Sequence, residues 1–173
     1  IVVDGGKAPN IIPDYVKLRM EFRTATMKSM GAVDEMVKKC ADGAALALDC
    51  AVKFTTVFEF ADMVRNMALE EEVVRQFESF GMPTTGVEAA SGSSDVGNVS
   101  YRCPAIQPLL AITDEDYALH TAAFRDATAL PQAEQAMEKG ACILALMALK
   151  IFNDEAFRNR VYAEFQEQVE KRR

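Results

Sequence analysis

Three short segments combine residue types that could bind a small ligand. The first places Asn10 in a loop rich in glycine and proline, with Arg23 thirteen residues later at the end of a predicted strand. An asparagine amide can bond a ligand, and an arginine fork can hold a carboxylate through two parallel hydrogen bonds. The commoner roles are structural, because turn asparagines bond their own backbone and arginines on strand faces are usually solvated.

The second segment is the small-residue loop Gly92-Ser93-Ser94-Asp95, which is followed by Val-Gly-Asn. Small residues let a ligand approach the backbone closely, and Asp95 could either orient a ligand or cap a helix. A serine-rich turn without a ligand is the more common outcome. The segment lacks the Gly-Lys-Ser ending of a phosphate-binding loop, so that class of site is excluded.

The third segment carries His120, the one histidine of the sequence, shortly after the acidic run Asp114–Asp116. An imidazole is a common metal ligand, although a lone histidine is more often structural. A two-metal site or a Cys-His pair built mostly from imidazole cannot be completed with a single histidine. Either the chemistry is of another kind, or other parts of a larger protein supply the missing groups.

The composition of the chain limits the kinds of molecule that it is expected to bind. The 173 residues are 50% apolar and 26% charged, with a net charge of −7. An acidic chain argues against binding to nucleic acid, which requires a basic surface. No apolar run reaches the roughly 20 residues of a membrane helix, so no membrane partner is expected. Four scattered cysteines without a C-x-x-C pair fit a reducing cytoplasm better than a disulfide scaffold or a zinc finger.

The first part of the chain predicts strands around one helix. Ile1–Val3 reads as a short strand, and residues 16–22 and 52–58 alternate between apolar and polar side chains as half-buried strands do. Between them, apolar residues recur at helical spacing over 29–48. Residues 1–60 therefore predict a sheet covered by a helix, which is an α+β arrangement.

The second part predicts mainly helices. Asn66 is a suitable cap for a helix that ends at Gly81, and Pro131 suits the first turn of a helix running to about Ile151. Asp154 is placed to cap a last helix with apolar residues four apart. Residues 105–112 form an apolar run of strand length, with Pro108 indicating an edge or a bend.

The order of these motifs resembles a known family. The chain reads Gly-Gly-Lys-Ala-Pro-Asn-Ile-Ile-Pro-Asp from Gly5, then Arg23, then Gly-Ser-Ser-Asp-Val-Gly-Asn-Val-Ser from Gly92, then Pro-Ala-Ile and His-Thr-x-x-Phe. This order is similar to the C-terminal half of M20-family metallopeptidases. The nearest resemblance is to the amidohydrolase branch that contains aminobenzoyl-glutamate hydrolase and the M20 domain-containing protein 2 type of dipeptidase.

The resemblance implies a fold and an activity. Residues 1–60 would be part of a ferredoxin-like lid and dimerisation domain, and residues 61–173 the C-terminal part of an α/β zinc-peptidase-like catalytic domain. The parent would be a metal-dependent amidohydrolase that cleaves an amide or peptide bond of a dipeptide or N-acyl amino acid. It would hold two divalent metal ions, zinc or manganese, and form a homo-oligomer. This chain alone would bind no metal and be inactive.

The resemblance also assigns roles to residues. His120 would be the final metal ligand, while Asn10 and Arg23 would bind the substrate carboxylate or stabilise the oxyanion. The substrate pocket would be lined by Gly92, Ser93, Ser94 and Asp95. The general base would lie in an N-terminal half that is not part of this sequence.

Two positions depart from the family pattern, because Glu59 and Gln107 stand where relatives often carry histidine. The alternatives to an enzyme are a non-catalytic dimerisation module and a homologue that binds small acids without hydrolysing them.

Overall fold

The computed structural model describes residues 1–85 and 92–172, and the chain divides into two compact units, Ile1–Thr56 and Val57–Arg173. In the first unit, strand β1 (Val2–Asp4) pairs antiparallel with strand β2 (Lys17–Leu18). Val2 lies opposite Leu18, and the register is irregular between Val2 and Asp4. This two-stranded ribbon confirms the predicted first strand and shortens the second.

Helix α1 (Met27–Ala47) completes the first unit and confirms the predicted helix over 29–48. It begins where the Thr26 hydroxyl accepts a hydrogen bond from the Ser29 amide, a favourable N-cap. Val33 and Val37 of the predicted apolar stripe are half-buried, but no residue of α1 is fully buried. The helix therefore covers little apolar surface within the described residues of this unit.

Three helices form the core of the second unit. They are α2 (Met67–Ser79), α5 (Pro131–Asn153) and α6 (Glu155–Glu170), and each packs against the other two. Two short helices, α3 (Val96–Ser100) and α4 (Ala122–Ala127), lie between α2 and α5 in sequence. The core consists of apolar side chains from the three long helices: Ala68, Leu69, Val73, Phe77, Ile143, Met147, Phe157 and Val161.

The predicted helix ends are confirmed. Asn66 accepts from the Leu69 amide and Asp154 accepts from the Phe157 amide, as N-caps do. At the end of α2, Gly81 has a φ of 68° and donates to the Glu78 carbonyl, while the Met82 amide donates to the Phe77 carbonyl. These two bonds form a Schellman motif, which needs the left-handed conformation that glycine adopts without strain.

Helix α5 is apolar on more than its buried side. Ile143 and Met147 face the core, whereas Leu144 and Phe152 are 67% and 79% exposed, and Met137 and Leu149 are also exposed. A helix that is apolar around its circumference is normally covered on all sides. Among the residues described, nothing covers this second face.

The predictions of strands over 52–58 and 105–112 are wrong for this structure, and the strand predicted over 16–22 is limited to Lys17–Leu18. A strand requires a neighbour for its backbone hydrogen bonds, and alternation alone does not supply one. Within residues 1–85 and 92–172 the sheet has only two strands. The lid followed by a catalytic domain, and hence the α+β fold class, stays a prediction.

None of the described helices is long and apolar enough to cross a membrane.

Candidate functional site

Helix α3, which follows the Gly92–Asp95 loop, is hydrogen-bonded to residues 59–64, a stretch that begins at Glu59, one of the positions that depart from the family pattern. The Asn98 side chain makes two of the bonds. Its Oδ1 accepts from the Ala61 amide at 2.8 Å, and its Nδ2 donates to the Glu59 carbonyl at 3.1 Å. One side-chain amide thus satisfies a backbone donor and a backbone acceptor two residues apart.

Ser100 and Tyr101 hold the same segment further along. The fully buried Ser100 hydroxyl accepts from the Val64 amide at 2.8 Å and donates to the Gly97 carbonyl at 2.6 Å. The Tyr101 hydroxyl donates to the Asp62 carboxylate at 2.8 Å. Burial, and then this bond to Asp62, raises the pKa of Tyr101 above its ordinary value. We call the side chains of Asn98, Ser100 and Tyr101 the α3 clamp.

Because Gly97 has no side chain, α3 can lie near enough to residues 59–64 for the clamp side chains to form these bonds. A β-carbon at this position would lie 1.9 Å from the Ala61 carbonyl oxygen, so no other residue fits without moving the backbone. Sequence reasoning noticed the small residues of this motif but gave roles only to Gly92–Asp95. The glycine followed by asparagine was the signal for a close backbone approach.

The loop leads into α3 through backbone and hydroxyl bonds. The Ser94 carbonyl accepts from the Gly97 amide, and the Ser94 hydroxyl accepts from the Val96 amide. Asp95 occupies the N-cap position, but its side chain makes no capping bond, so the predicted alternative of a capping carboxylate is wrong. Gly92, Ser93 and Asp95 are exposed, and Ser94 is half-buried.

His120 precedes α4 in an unusual backbone conformation. Its φ is 65°, in the left-handed region that few residues other than glycine adopt. The next residue fixes the turn, because the Thr121 hydroxyl donates to the Ala118 carbonyl and accepts from the Phe124 amide. The imidazole is exposed at the surface of the second unit. The sequence did not predict this conformation.

The described residues do not form a metal site by themselves. In the ranges 1–85 and 92–172, no group of three or more His, Cys, Asp or Glu side chains is arranged to hold an ion. His120 can offer one nitrogen donor, whereas zinc sites in proteins use at least three protein ligands. The residues present therefore do not fit a complete metal centre.

Asn10 and Arg23 belong to the first unit. Asn10 is exposed beside a turn in which the Ile11 amide donates to the Ala8 carbonyl. Arg23 donates from Nε to the Glu21 carboxylate at 2.7 Å, and both side chains are more than half exposed. Exposed ion pairs contribute little, so Arg23 can exchange Glu21 for another carboxylate at small cost.

A charged groove between the core helices of the second unit contains two internal ion pairs and a third cation, Arg160, which pairs with Glu71 outside the groove. Arg75 pairs with Glu72, and Lys150 pairs with Asp154, both at 2.7 Å. Burial opposes ionisation of Glu72, but hydrogen bonds from Gln76 and Arg75 outweigh it and lower its pKa. The hydrogen bond from Lys150, followed by that from the Phe157 amide, lowers the pKa of Asp154. These pairs stabilise the ionised forms of both carboxylates.

Two curated proteins are similar to this chain over most of its length. The Xaa-Arg dipeptidase of Mus musculus is 31% identical over 170 residues, which cover 95% of this chain and 39% of the mouse protein. The Xaa-Arg dipeptidase of Homo sapiens is 30% identical over 156 residues, which cover 87% of this chain and 36% of the human protein. No protein-family model matches the chain. The chain spans less than half the length of either relative, and its similarity to both supports a peptidase of the M20 type.

Proposed function

We propose that this chain is the C-terminal part of a metal-dependent dipeptidase of the M20 type. The observation that carries the proposal is the 31% identity to a dipeptidase over 95% of the chain. The reaction is hydrolysis of the amide or peptide bond of a small substrate that bears a carboxylate, either a dipeptide or an N-acyl amino acid. Both relatives are named for Xaa-Arg substrates, so dipeptides ending in arginine are the first to test.

Arg23 and Asn10 are proposed to bind the substrate carboxylate or the developing oxyanion. A guanidinium fork matches a carboxylate through two charge-assisted hydrogen bonds. The exposed pairing of Arg23 with Glu21 supports this role, because a substrate carboxylate can replace Glu21 at little cost. The exposed loop residues Gly92, Ser93 and Asp95 are proposed to line the pocket together with Ser94.

His120 is proposed as one ligand of a site for two divalent ions, zinc or manganese. Its exposed ring and its constrained backbone support this assignment. The remaining ligands and the general base would come from the part of the longer relatives that this chain does not match. This chain alone is accordingly proposed to be inactive and to retain no metal.

The assembly is proposed to be a homo-oligomer in which residues 1–60 belong to a lid and dimerisation domain. Exposed apolar side chains such as Ile12 and Phe152 support association, because such surfaces tend to be covered by a partner. A cytoplasmic location is proposed because all four cysteines are free and exposed, which suits a reducing compartment. Nucleic acid and membranes are not proposed as partners.

The deciding experiment compares the longer dipeptidase, of which this chain is proposed to be a part, with residues 1–173 alone. We call the former the longer protein. Both are assayed with Lys-Arg, Ala-Arg and N-acetyl-arginine, each with zinc or manganese added. We expect the longer protein to release arginine from at least one substrate, and residues 1–173 to release none. If the longer protein is inactive on all three with either metal, the dipeptidase proposal fails. Binding of N-acetyl-arginine without hydrolysis would then identify a small-acid-binding module.

A further inference from the structure

Asn98 is bonded to both segments that meet at α3. Its backbone amide donates to the Asp95 carbonyl at 3.0 Å, at the end of the Gly92–Asp95 loop. Its side chain holds the Ala61 amide and the Glu59 carbonyl. We infer that Asn98 is a positioning residue that fixes this loop against residues 59–61 before substrate arrives. The inference rests on the proposed function, in which the loop lines the substrate pocket.

The close approach at Gly97 supports a fixed placement rather than an occasional contact. The Gly97 backbone lies against the Ala61 carbonyl, and the Gly97 amide donates to the Ser94 carbonyl. The same residue is therefore bonded to the loop and packed on residues 59–61. Movement of either segment would have to break the Asn98 bonds or open the packing at Gly97.

Exposure separates the role of Asn98 from that of a purely structural asparagine. Asn98 is exposed, whereas Asn66 is 1% exposed and makes two comparable bonds, one to the Leu69 amide and one to the Val161 carbonyl. Loss of a buried partner leaves an unsatisfied group and costs much more stability than loss of a solvated one. Asn98 should therefore matter less for folding and more for the local position of the loop.

A loop that is not held in place must be ordered when substrate binds, and that ordering weakens binding. Removal of the Asn98 side chain should therefore raise KM more than it lowers kcat. A residue that contributes only to stability would change the amount of folded protein and leave KM of the folded fraction unchanged. The separation of KM from kcat thus distinguishes the two roles.

The test uses three variants of the longer enzyme and Lys-Arg as substrate: Asn98→Ala, Asn98→Asp and the matched control Asn66→Ala. We expect Asn98→Ala to raise KM by about tenfold or more, with kcat changed by less than about threefold. Asn98→Asp keeps the acceptor for Ala61 but places a carboxylate oxygen against the Glu59 carbonyl oxygen, so it should raise KM at least as much as Asn98→Ala. Asn66→Ala should lower the melting temperature more than Asn98→Ala and leave KM within about twofold.

Hydrogen exchange gives a readout that does not depend on activity. We expect Asn98→Ala to speed exchange in segments 59–64 and 92–98, and Asn66→Ala to leave both unchanged under native conditions. Unchanged exchange in Asn98→Ala, an unchanged KM, or an equal rise of KM in Asn66→Ala would overturn the inference. A wild-type enzyme that does not hydrolyse dipeptides would overturn the proposed function instead, and the exchange result would still decide whether Asn98 places the loop.

Discussion

Gly97 and Ala61 lie so close together that a β-carbon on Gly97 would be 1.9 Å from the Ala61 carbonyl oxygen. The obstacle is backbone, which cannot rotate away as a flexible side chain can. This approach allows the α3 clamp to reach residues 59–64, and it makes position 97 intolerant of any side chain.

Substitution of Gly97 by alanine should therefore destabilise the second unit. We expect Gly97→Ala to lower the free energy of unfolding by about 2 kcal/mol or more, the usual cost of overpacking a closed site. The matched control is Gly31→Ala inside α1, where nothing lies within 4 Å of the added carbon. That variant should gain about 0.5–1 kcal/mol, because alanine favours helix more than glycine does. Urea denaturation measures both, and an equal effect of the two substitutions would contradict the close approach.

The replacement His120→Ala tests the metal assignment in the longer protein. Loss of a metal ligand should abolish turnover while substrate binding falls much less, because the ions act chiefly on the transition state. Metal content and turnover are to be measured on the same folded sample. The control Leu119→Ala changes an exposed neighbour and should leave both near normal. If His120→Ala also keeps normal metal content and turnover, the histidine is structural and the assignment fails.

Replacement of Arg23 by lysine separates charge from geometry. Lysine keeps the positive charge but loses the fork that matches a carboxylate. We expect Arg23→Lys to raise KM for Lys-Arg by about tenfold, with a smaller loss of kcat if the group also contacts the oxyanion. Arg19→Lys, which changes an exposed arginine four residues earlier, is the control and should leave KM unchanged. Equal effects at the two positions would indicate a general charge effect instead.

The second unit should lose stability in acid. The pKa values of Glu72 and Asp154 are lowered from ordinary values of 4.5 and 3.8, so both groups bind protons more readily in the unfolded chain. Their contribution is present above those ordinary values and is lost as pH falls through the lower folded-state values. Urea denaturation between pH 6 and about pH 3 should show this fall. The double variant Glu72→Gln with Asp154→Asn should show a shallower pH dependence, and an identical slope would refute the linkage.

Local signals explain which parts of the fold the sequence predicted. Caps such as Asn66 and Asp154 bond an amide three residues away, and the Gly81 motif spans a single turn, so adjacent residues determine the helix ends. The strand predicted over 52–58 failed because alternation indicates burial but not a pairing partner. Whether a segment forms a strand depends on a pairing partner, which is usually far away in the sequence.

The same difference between local and distant contacts explains why the sequence did not predict the contacts at the candidate site. Asn98 bonds Ala61 across 37 residues, so the Gly97-Asn98 pair indicates a close approach but nothing nearby in the sequence identifies its partner. The peptidase resemblance is supported by the two relatives, whereas the roles assigned to Gly92–Asp95 stay predictions. The left-handed backbone of His120 had no signal, because even the residues enriched in that conformation adopt it rarely.

The two-sided apolar character of α5 also affects how the heat capacity of this chain changes on unfolding. As long as the chain is monomeric, Leu144, Phe152 and their exposed neighbours are already in contact with water in the folded state, so unfolding hydrates less new apolar surface. The heat-capacity increment per residue should then lie below the usual value of about 12–15 cal/mol/K. A smaller increment flattens the curve of stability against temperature, so the fold of this chain should change little in stability between cold and ambient conditions.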